Sequence, residues 1–570
     1  MTQTPEPVEN PIIPPPDVDA DDPTRHAAPL NAKRLIRSTL VVMIGFLATK
    51  LVSLGQVVIL ADRFGTSSDQ DTYVAASLIP DNIIRLIGVG AVSVAFIPLF
   101  SGLLNRRDGA GAWRLASQVF NTMLIISLVL GTIVLVMAPL LVHEILAPGF
   151  SDGEVKQTVE LMRILLITVM IFPLSSLFTG VLNGHNHFLL PVLAPIFYDL
   201  GLLFGVIVFT GPFGIYGVAW GTVLGALLHF SIQVPGLFRF KAKWSPILGW
   251  KDPQLRHVVR LLIPRILASG LFAINLFAIS NIASRLGEGA ISAFGWGVRI
   301  MDIPEALIGT AMAFVIFPSL AALTELGDVE QRRKMFSQAV RFILVGCIPA
   351  GAGMILIGRP AVQILFTDPD EARLVYAVVQ VMGVALVFQA VHEVVTRAFY
   401  AMKDTMTPLI VSAIATVATV LVIVTGYLIY DNVDGISLYG PLGVGGPAIG
   451  YLVSFMVELG LMFVILKRRW QDVDESRIRT AITRTLAATA LMAIPVFLVD
   501  YALAHSIFEG TGRIAGLARA GVGGILGGVF FLIGALIFKV EEVRQLPDML
   551  RRGRGKESAP ITPEVSTSAV

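Results

Sequence analysis

The chain has 570 residues, of which 55% are hydrophobic and only 15% charged, a balance that excludes a water-soluble globule and describes a polytopic membrane protein. A net charge of +2 identifies no partner, because the basic residues matter here by where they fall. The single cysteine, Cys347, excludes an intrachain disulfide and a cysteine metal cluster, and its apolar surroundings read as core packing.

Residues 1–32 open with a stretch rich in proline and acids that has no apolar periodicity, and they are expected to form a disordered cytoplasmic tail. The first apolar segment follows Lys33, Arg34 and Arg37. It lies too far from the start and runs too long for a cleaved signal peptide, so it is expected to stay in the membrane.

Taking apolar stretches of roughly 20 residues as spans, we read helices at 40–61, 72–104, 118–142, 159–182, 189–209 and 216–237. A second series follows at 258–283, 290–323, 339–357, 375–401, 408–430, 446–466, 481–503 and 518–538. The fold class is therefore all-α, with about fourteen transmembrane helices. Lys and Arg collect in alternate loops: Arg106, Arg107 and Arg114; Arg239, Lys241, Lys243 and Lys251; Arg332, Arg333 and Lys334; Lys467, Arg468 and Arg469; and Arg551, Arg552, Arg554 and Lys556. By the positive-inside rule these loops and both termini are expected to be cytoplasmic.

The chain also repeats itself. Residues 211–221 (GPFGIYGVAWG) match 440–450 (GPLGVGGPAIG) in register, and Phe96–Leu99 at the end of the second span echoes Phe317–Leu320 at the end of the eighth. The turn before Pro191 is spaced like the turn before Pro408. The economical reading is two six-helix lobes in parallel repeat, at 33–240 and 241–470, related by an axis along the membrane normal. Two extra helices at 471–540 and a cytoplasmic tail at 541–570 complete the division.

Ionisable residues at membrane depth mark functional sites. Lys50 sits near the middle of the first span. Asp81 and Arg85 stand four apart in the second, in register for an ion pair or for contact with a ligand, and Arg299 and Asp302 share a face in the eighth just before Pro304. Lys50, Arg85 and Arg299 fall at corresponding places in the repeat and would suit an anionic substrate, above all a phosphate or diphosphate that accepts the arginine fork. Against that, Asp302, Glu305 and Asp81 could cancel the field.

His392, Glu393 and Arg397 read as a helix-end ion pair near the cytoplasmic face. Asp199 and Glu458 read as isolated carboxylates at depth, open to a coupling cation, a proton or a hydrogen bond. Asp368 and Asp370 form a short acidic motif that reads as a solvated loop. No phosphate-binding loop of the Walker type occurs, so ATP hydrolysis is not expected. The glycines at 88, 90 and 443–450 read as close helix packing.

An ordered series of residues carries a family resemblance: Phe64, Gly65, Asp71, Ala75, Pro80, Arg85, Gly90–Ser93, Ala95–Pro98, Gly180–Asn183, His187, Phe188 and Pro191–Pro195. It continues through Arg299, Asp302, Pro304, Phe317–Leu320, Phe399, Tyr400, Lys403, Asp404, Thr407 and Pro408. In order and spacing the chain resembles the MurJ/MviN family of bacterial lipid II flippases, within the multidrug/oligosaccharidyl-lipid/polysaccharide exporter superfamily. The resemblance implies a transporter, not an enzyme, with no cofactor and no nucleic-acid partner. Its cargo would be the lipid-linked cell-wall precursor of peptidoglycan synthesis, carried between leaflets by alternating access.

On that basis Lys50, Arg85 and Arg299 are expected to bind substrate, and Asp71, Asp81 and Asp302 to orient and gate, with Asp302 orienting Arg299. The last two helices would line a groove for the polyprenyl tail. An ion gradient or the membrane potential would supply energy to what is expected to be a monomer. Departures from the family pattern at Gln56, Val57 and Ile84 thin the cavity charge. They leave open another polyprenyl-linked glycan as cargo or, from the same superfamily, a cation-coupled drug exporter.

Overall fold

The apolar runs become helices because a backbone in lipid must satisfy its own hydrogen bonds. A computed structural model describes Thr49 and residues 52–89, 96–505 and 512–544. Among these residues every regular element is helical. In chain order they are α1 (52–64), α2 (Ser68–Ile84), α3 (Ile97–Asn105), α4 (Gly109–Leu140), α5 (Asp152–Gly184), α6 (Leu189–Phe204), α7 (Thr210–Phe213), α8 (Ile215–Ser231) and α9 (Val234–Arg239). A second series comprises α10 (Pro253–Ser284), α11 (Ala290–Glu305), α12 (Ala311–Glu325), α13 (Val329–Leu356), α14 (Gly358–Leu365), α15 (Pro369–Ala401), α16 (Met406–Asn432) and α17 (Gly445–Trp470). Finally come α18 (Glu475–Ala504) and α19 (Arg513–Ile537).

Eleven helices among the described residues are long and apolar enough to cross a membrane. The three further spans expected from hydropathy are the first, whose early residues lie outside the described ones, the second, of which residues 90–95 lie outside them, and the stretch within α10, where Ser269–Ser284 is the apolar part. Residues 1–32, Lys50 and the basic cluster at 551–556 also lie outside the described residues.

The repeat seen in the sequence is repeated in backbone geometry. The α2 helix passes into a π-helical turn at Arg85–Val89, and α11 passes into another at Ala306–Thr310, just after Pro304. Both are followed by a shorter helix with proline in its sequence, α3 or α12. Asp108 then caps α4 by accepting from the Gly111 amide, and Asp328 caps α13 by accepting from the Gln331 amide. Helices α5 and α15 are each 33 residues long and end two residues before a left-handed residue, Asn186 or Lys403.

Helices α2, α4, α5, α6 and α8 pack on one another, as do α11, α13, α15 and α17, while α18 lies on α13 and α19. In the first set α6 and α8 approach so closely that a Cβ on Gly205 would lie 2.2 Å from the Gly221 Cα. That contact uses glycines in place of the hydrophobic effect, which does not act between helices in lipid. In the second set Gly450 lies against Ile423 in the same manner. Arg519 on α19 makes a two-pronged pair with Asp500 on α18, at 2.9 and 3.0 Å.

At the end of the bundle that carries the basic loops, Asp404 caps α16 through the Met406 and Thr407 amides and takes Arg469 of α17 at 2.5 Å. Burial works to raise its pKa, but bonds from the Thr407 hydroxyl and amide and from Arg469 outweigh this and hold it below the usual carboxylate range. A depressed carboxyl stabilises the fold above its unfolded pKa and loses that contribution as pH falls through the folded value. Asp404→Asn should therefore cost of order 1 kcal/mol near neutrality and nothing once the pH lies below the folded pKa. Thermal unfolding in detergent across that range checks it. Gly205→Val should separate α6 from α8 at a cost of about 1–3 kcal/mol, read as a lower unfolding temperature with the secondary structure retained.

Candidate functional site

A helix leaves its first amide groups without partners, and in a membrane protein those groups must find acceptors. At the N-terminus of α11 the acceptor comes from a different part of the chain. Asp71, in the first turn of α2 and 1% exposed, takes the Gly289 amide on Oδ2 at 2.6 Å and the Ser292 amide on Oδ1 at 2.7 Å. A carboxylate at a helix N-terminus also meets the positive end of the helix dipole. Bonds of this charge-assisted kind contribute about 1.5–3 kcal/mol each.

More bonds join the two helix sets around this cap. The Thr66 amide donates to Glu371 Oε1 and the Ser68 amide to Glu288 Oε1, both at 2.9 Å. The buried Trp296 indole donates to the Gly65 carbonyl at 2.9 Å, the Gly149 amide to Ser284 Oγ at 3.1 Å, and Asn281 to the Ile145 carbonyl at 2.9 Å. Together they clasp the end of the bundle remote from the basic loops. Asp368, read from sequence as part of a solvated acidic motif, caps α15 by accepting from the Asp370 and Glu371 amides. That cap holds Glu371 where it meets Thr66.

The clasp sets a register. Asp81 lies ten residues along α2 from Asp71, and Arg299 lies ten residues along α11 from Gly289. At 1.5 Å per residue each is about 15 Å into the bundle from the same level. Arg85 follows one turn deeper, where the π-helical turn begins. Asp81 lies within electrostatic reach of both Arg85 and Arg299, although these belong to different helix sets. Arg299 also reaches Tyr73 and Tyr198 of the first set, and Arg85 reaches Tyr451 of the second. Asp81, Arg85, Arg299 and Asp302 are all solvent-exposed despite this depth. Exposure at mid-depth combined with mutual reach across two helix sets is the arrangement that a chamber between them would give.

Within the chamber Asp81 and Arg85 do not form a direct ion pair, and each stays available to a third charge. The Arg299 guanidinium lies over Trp296, 5.3 Å from the ring centroid. Trp296 therefore belongs to both the clasp and the chamber. Sequence reasoning passed over it, although an arginine three residues after a tryptophan on one helix face was the available signal. Asp71 is not in the chamber but at its closed end. Lys50, expected to share the chamber, lies outside the described residues.

Two other sequence readings change. Glu393 and Arg397 do pair, at 3.6 Å, but His392 turns away from them to Glu458 of α17, at 2.7 Å. Glu458 is thus not isolated. Glu305, weighed only as a charge that cancels, is buried and accepts the Thr310 hydroxyl at 3.0 and 3.1 Å, bridging the π-helical turn.

The profile of the family described as "Lipid II flippase MurJ" matches residues 60–511. A "Probable lipid II flippase MurJ" from Rhizobium meliloti is 27% identical over 80% of this chain and 85% of its own. A "Lipid II flippase MurJ" from Burkholderia cenocepacia is 27% identical over 75% of this chain and 84% of its own. Among solved structures, a lipid II flippase MurJ in an inward closed conformation superposes with a TM-score of 0.70 at 19% identity, covering 90% of this chain and 100% of that one. An inward-facing multidrug resistance MATE family transporter superposes with a TM-score of 0.62 at 19% identity, covering 75% and 96%. The two structures show a shared fold.

Loss of the cap should loosen the clasp before it affects the rest of the bundle. In a Cys347→Ala background, Ser292→Cys keeps the backbone amide that Asp71 accepts and should react slowly with a membrane-impermeant thiol reagent. Adding Asp71→Ala should raise that labelling rate about tenfold or more, as expected if roughly 1.5–3 kcal/mol of bonding is lost.

Proposed function

This chain belongs to the lipid II flippase MurJ family, and from that premise we propose that it carries lipid II, the undecaprenyl-diphosphate-linked peptidoglycan precursor, from the inner to the outer leaflet of the bacterial plasma membrane. Arg85 and Arg299, with Lys50, hold the diphosphate. A polyanion cannot cross hydrocarbon unaided, and fixed cations in a wet chamber replace the water it gives up. The observation that carries this reading is that Arg85 and Arg299, one from each helix set, are both exposed at depth and within electrostatic reach of Asp81.

With the chamber empty, Asp81 shields the two guanidinium groups. A diphosphate with two charged phosphates outcompetes one carboxylate and draws the helix sets together around itself. The basic loops, and with them both termini, face the cytoplasm. The clasp around Asp71 then closes the outer side, and cargo loads from the inner leaflet. Because Arg299 lies on Trp296, and Trp296 bonds the clasp, a shift of Arg299 toward cargo works directly on the outer closure. Asp302 orients Arg299 during this change. The moving units are the lobes at 33–240 and 241–470, rocking about the chamber, while the helices at 471–540 line a groove for the polyprenyl tail. The unit is a monomer, driven by an ion gradient or the membrane potential.

One observation favours a neighbouring reading. Gln56 is buried where the family pattern has a cation, so the chamber carries less charge and could be matched to another polyprenyl-diphosphate glycan. Complementation of a strain depleted of its lipid II flippase separates the two. The wild type should restore growth and outer-leaflet lipid II. Arg299→Ala should reduce flipping tenfold or more, corresponding to about 1.4 kcal/mol or more of lost differential binding, and Arg299→Lys should recover only part because the fork is lost. Full rescue by both Arg85→Ala and Arg299→Ala would overturn the diphosphate reading. Failure of a membrane-inserted wild type would transfer it to the other glycan.

A further inference from the structure

The second helix set carries four carboxylates near the chamber and buries two of them, Glu305 and Glu458. Asp302 and Glu305 stand on α11, Glu393 on α15 and Glu458 on α17. Facing them are Arg397, paired with Glu393, and the His392 ring, whose Nε2 lies 2.7 Å from Glu458 Oε2. The His392 and Glu458 side chains are 16% and 9% exposed, and Phe455 stands edge-on to the imidazole at 5.3 Å. Tyr451 packs on Phe455 and donates to Gln389 at 3.1 Å, closing the pair off from the chamber. With Nε2–H given to the carboxylate, Nδ1 presents a lone pair, and that atom is enclosed with no hydrogen-bond partner.

These groups form a line. Glu305 feels the charges of Asp302 and Glu393, and His392 feels those of Glu393 and Glu458. Tyr451 lies within reach of Asp302, Glu305 and Glu458 on its own side and of Arg85 across the chamber. From α13 the titratable neighbour is Cys347, which feels Glu305. The line thus begins beside Arg299 on the chamber wall and ends inside the helix set.

Glu305 and Glu458 are buried beside the Thr310 hydroxyl and the His392 ring, and a low dielectric disfavours both being ionised at once with the half-buried Glu393 nearby. Protons must be held among them, and the fields of Arg299 and Arg85 help decide how many. An anion that neutralises those guanidinium groups removes what keeps the nearest carboxylates charged. We propose that Asp302, Glu305, Glu393 and the His392–Glu458 pair form a proton-holding line that takes up a proton from water when a diphosphate fills the chamber. The proposal rests on the reading of the chamber as a diphosphate site. By linkage the effect is reciprocal, and protonation of the line strengthens cargo binding. His392 Nδ1 is the vacant acceptor, and the imidazolium formed there pairs with Glu458 and lies within reach of the Glu393 charge.

Calorimetric titration of the purified full-length protein with undecaprenyl-diphospho-N-acetylglucosamine tests this. That ligand is a diphosphate diester with no group that titrates near neutrality, so any proton exchanged belongs to the protein. Run in phosphate and in Tris, whose ionisation heats differ, the wild type should show uptake of about 0.5–1 proton per ligand, with affinity rising about three- to tenfold per unit fall in pH. His392→Gln and Glu458→Gln should each at least halve that uptake, to about 0.3 proton or less. Binding with equal heats in the two buffers overturns the proton line while leaving the chamber reading intact, and it needs no variant. Full uptake in both variants overturns the assignment to the pair. Absence of binding removes the chamber reading, and the proton line with it.

Discussion

The rest of the structure depends on a carboxylate that caps a helix to which it does not belong. Asp71 leaves α2 to satisfy two amides at the start of α11, which joins the helix sets and fixes how far one lies along the other. From that shared level, equal distances along the two helices bring Asp81 and Arg299 to one depth. Were the cap displaced by a turn, the charges of the two sets would meet apolar walls instead of each other. Glu371 and Glu288 extend the clasp through backbone amides of the same loop, so the closure relies on main-chain groups whose positions follow from the fold itself.

Charge in a membrane is costly unless it is answered nearby, and the molecule answers it in two ways. In the chamber two guanidinium groups, Arg85 and Arg299, stand exposed with two carboxylates, Asp81 and Asp302. In the second helix set Glu305 and Glu458 are enclosed and are answered by the Thr310 hydroxyl and the His392 ring. The two groups are separated by α11, which carries Arg299 and Asp302 on its exposed side and Glu305 on its buried side. The π-helical turn that follows Glu305 is closed by Thr310, so the backbone irregularity and the buried carboxylate support each other. The matching turn at Arg85 begins where the first set presents its own cation. Irregular backbone at depth is tolerated where it is enclosed by protein or lines a cavity, and both turns meet that condition.

Much of this was legible in the sequence, residue by residue. The apolar runs, the basic loops and the echoes between 211–221 and 440–450 follow from local composition, and helices in lipid leave local composition little freedom. Arg85, Arg299, Asp302 and Asp81 were conspicuous because ionisable side chains at depth are rare. The break after Pro304 was half visible, since proline removes a donor there, while its counterpart after Ile84 had no such mark. The roles of Trp296, Glu371 and the Gly65 carbonyl were not visible. Each acts through a partner more than two hundred residues away in the chain, and an indole or a backbone carbonyl carries no sign of where it will be used.

The same division explains the misread pair. His392, Glu393 and Arg397 are neighbours in sequence, and helical spacing correctly joins Glu393 to Arg397, but the His392 ring projects toward α17, where Glu458 waits. The sequence by itself determined that this chain is a helical membrane protein with matching segments along it and cations at depth, because hydropathy, loop charge and repeat spacing are local quantities. Only the tertiary structure decided which of those charges meet, which end of the bundle is clasped and which carboxylates are buried. Those outcomes depend on the register between helices distant in the chain, and that register is set by a few hydrogen bonds that no local pattern encodes.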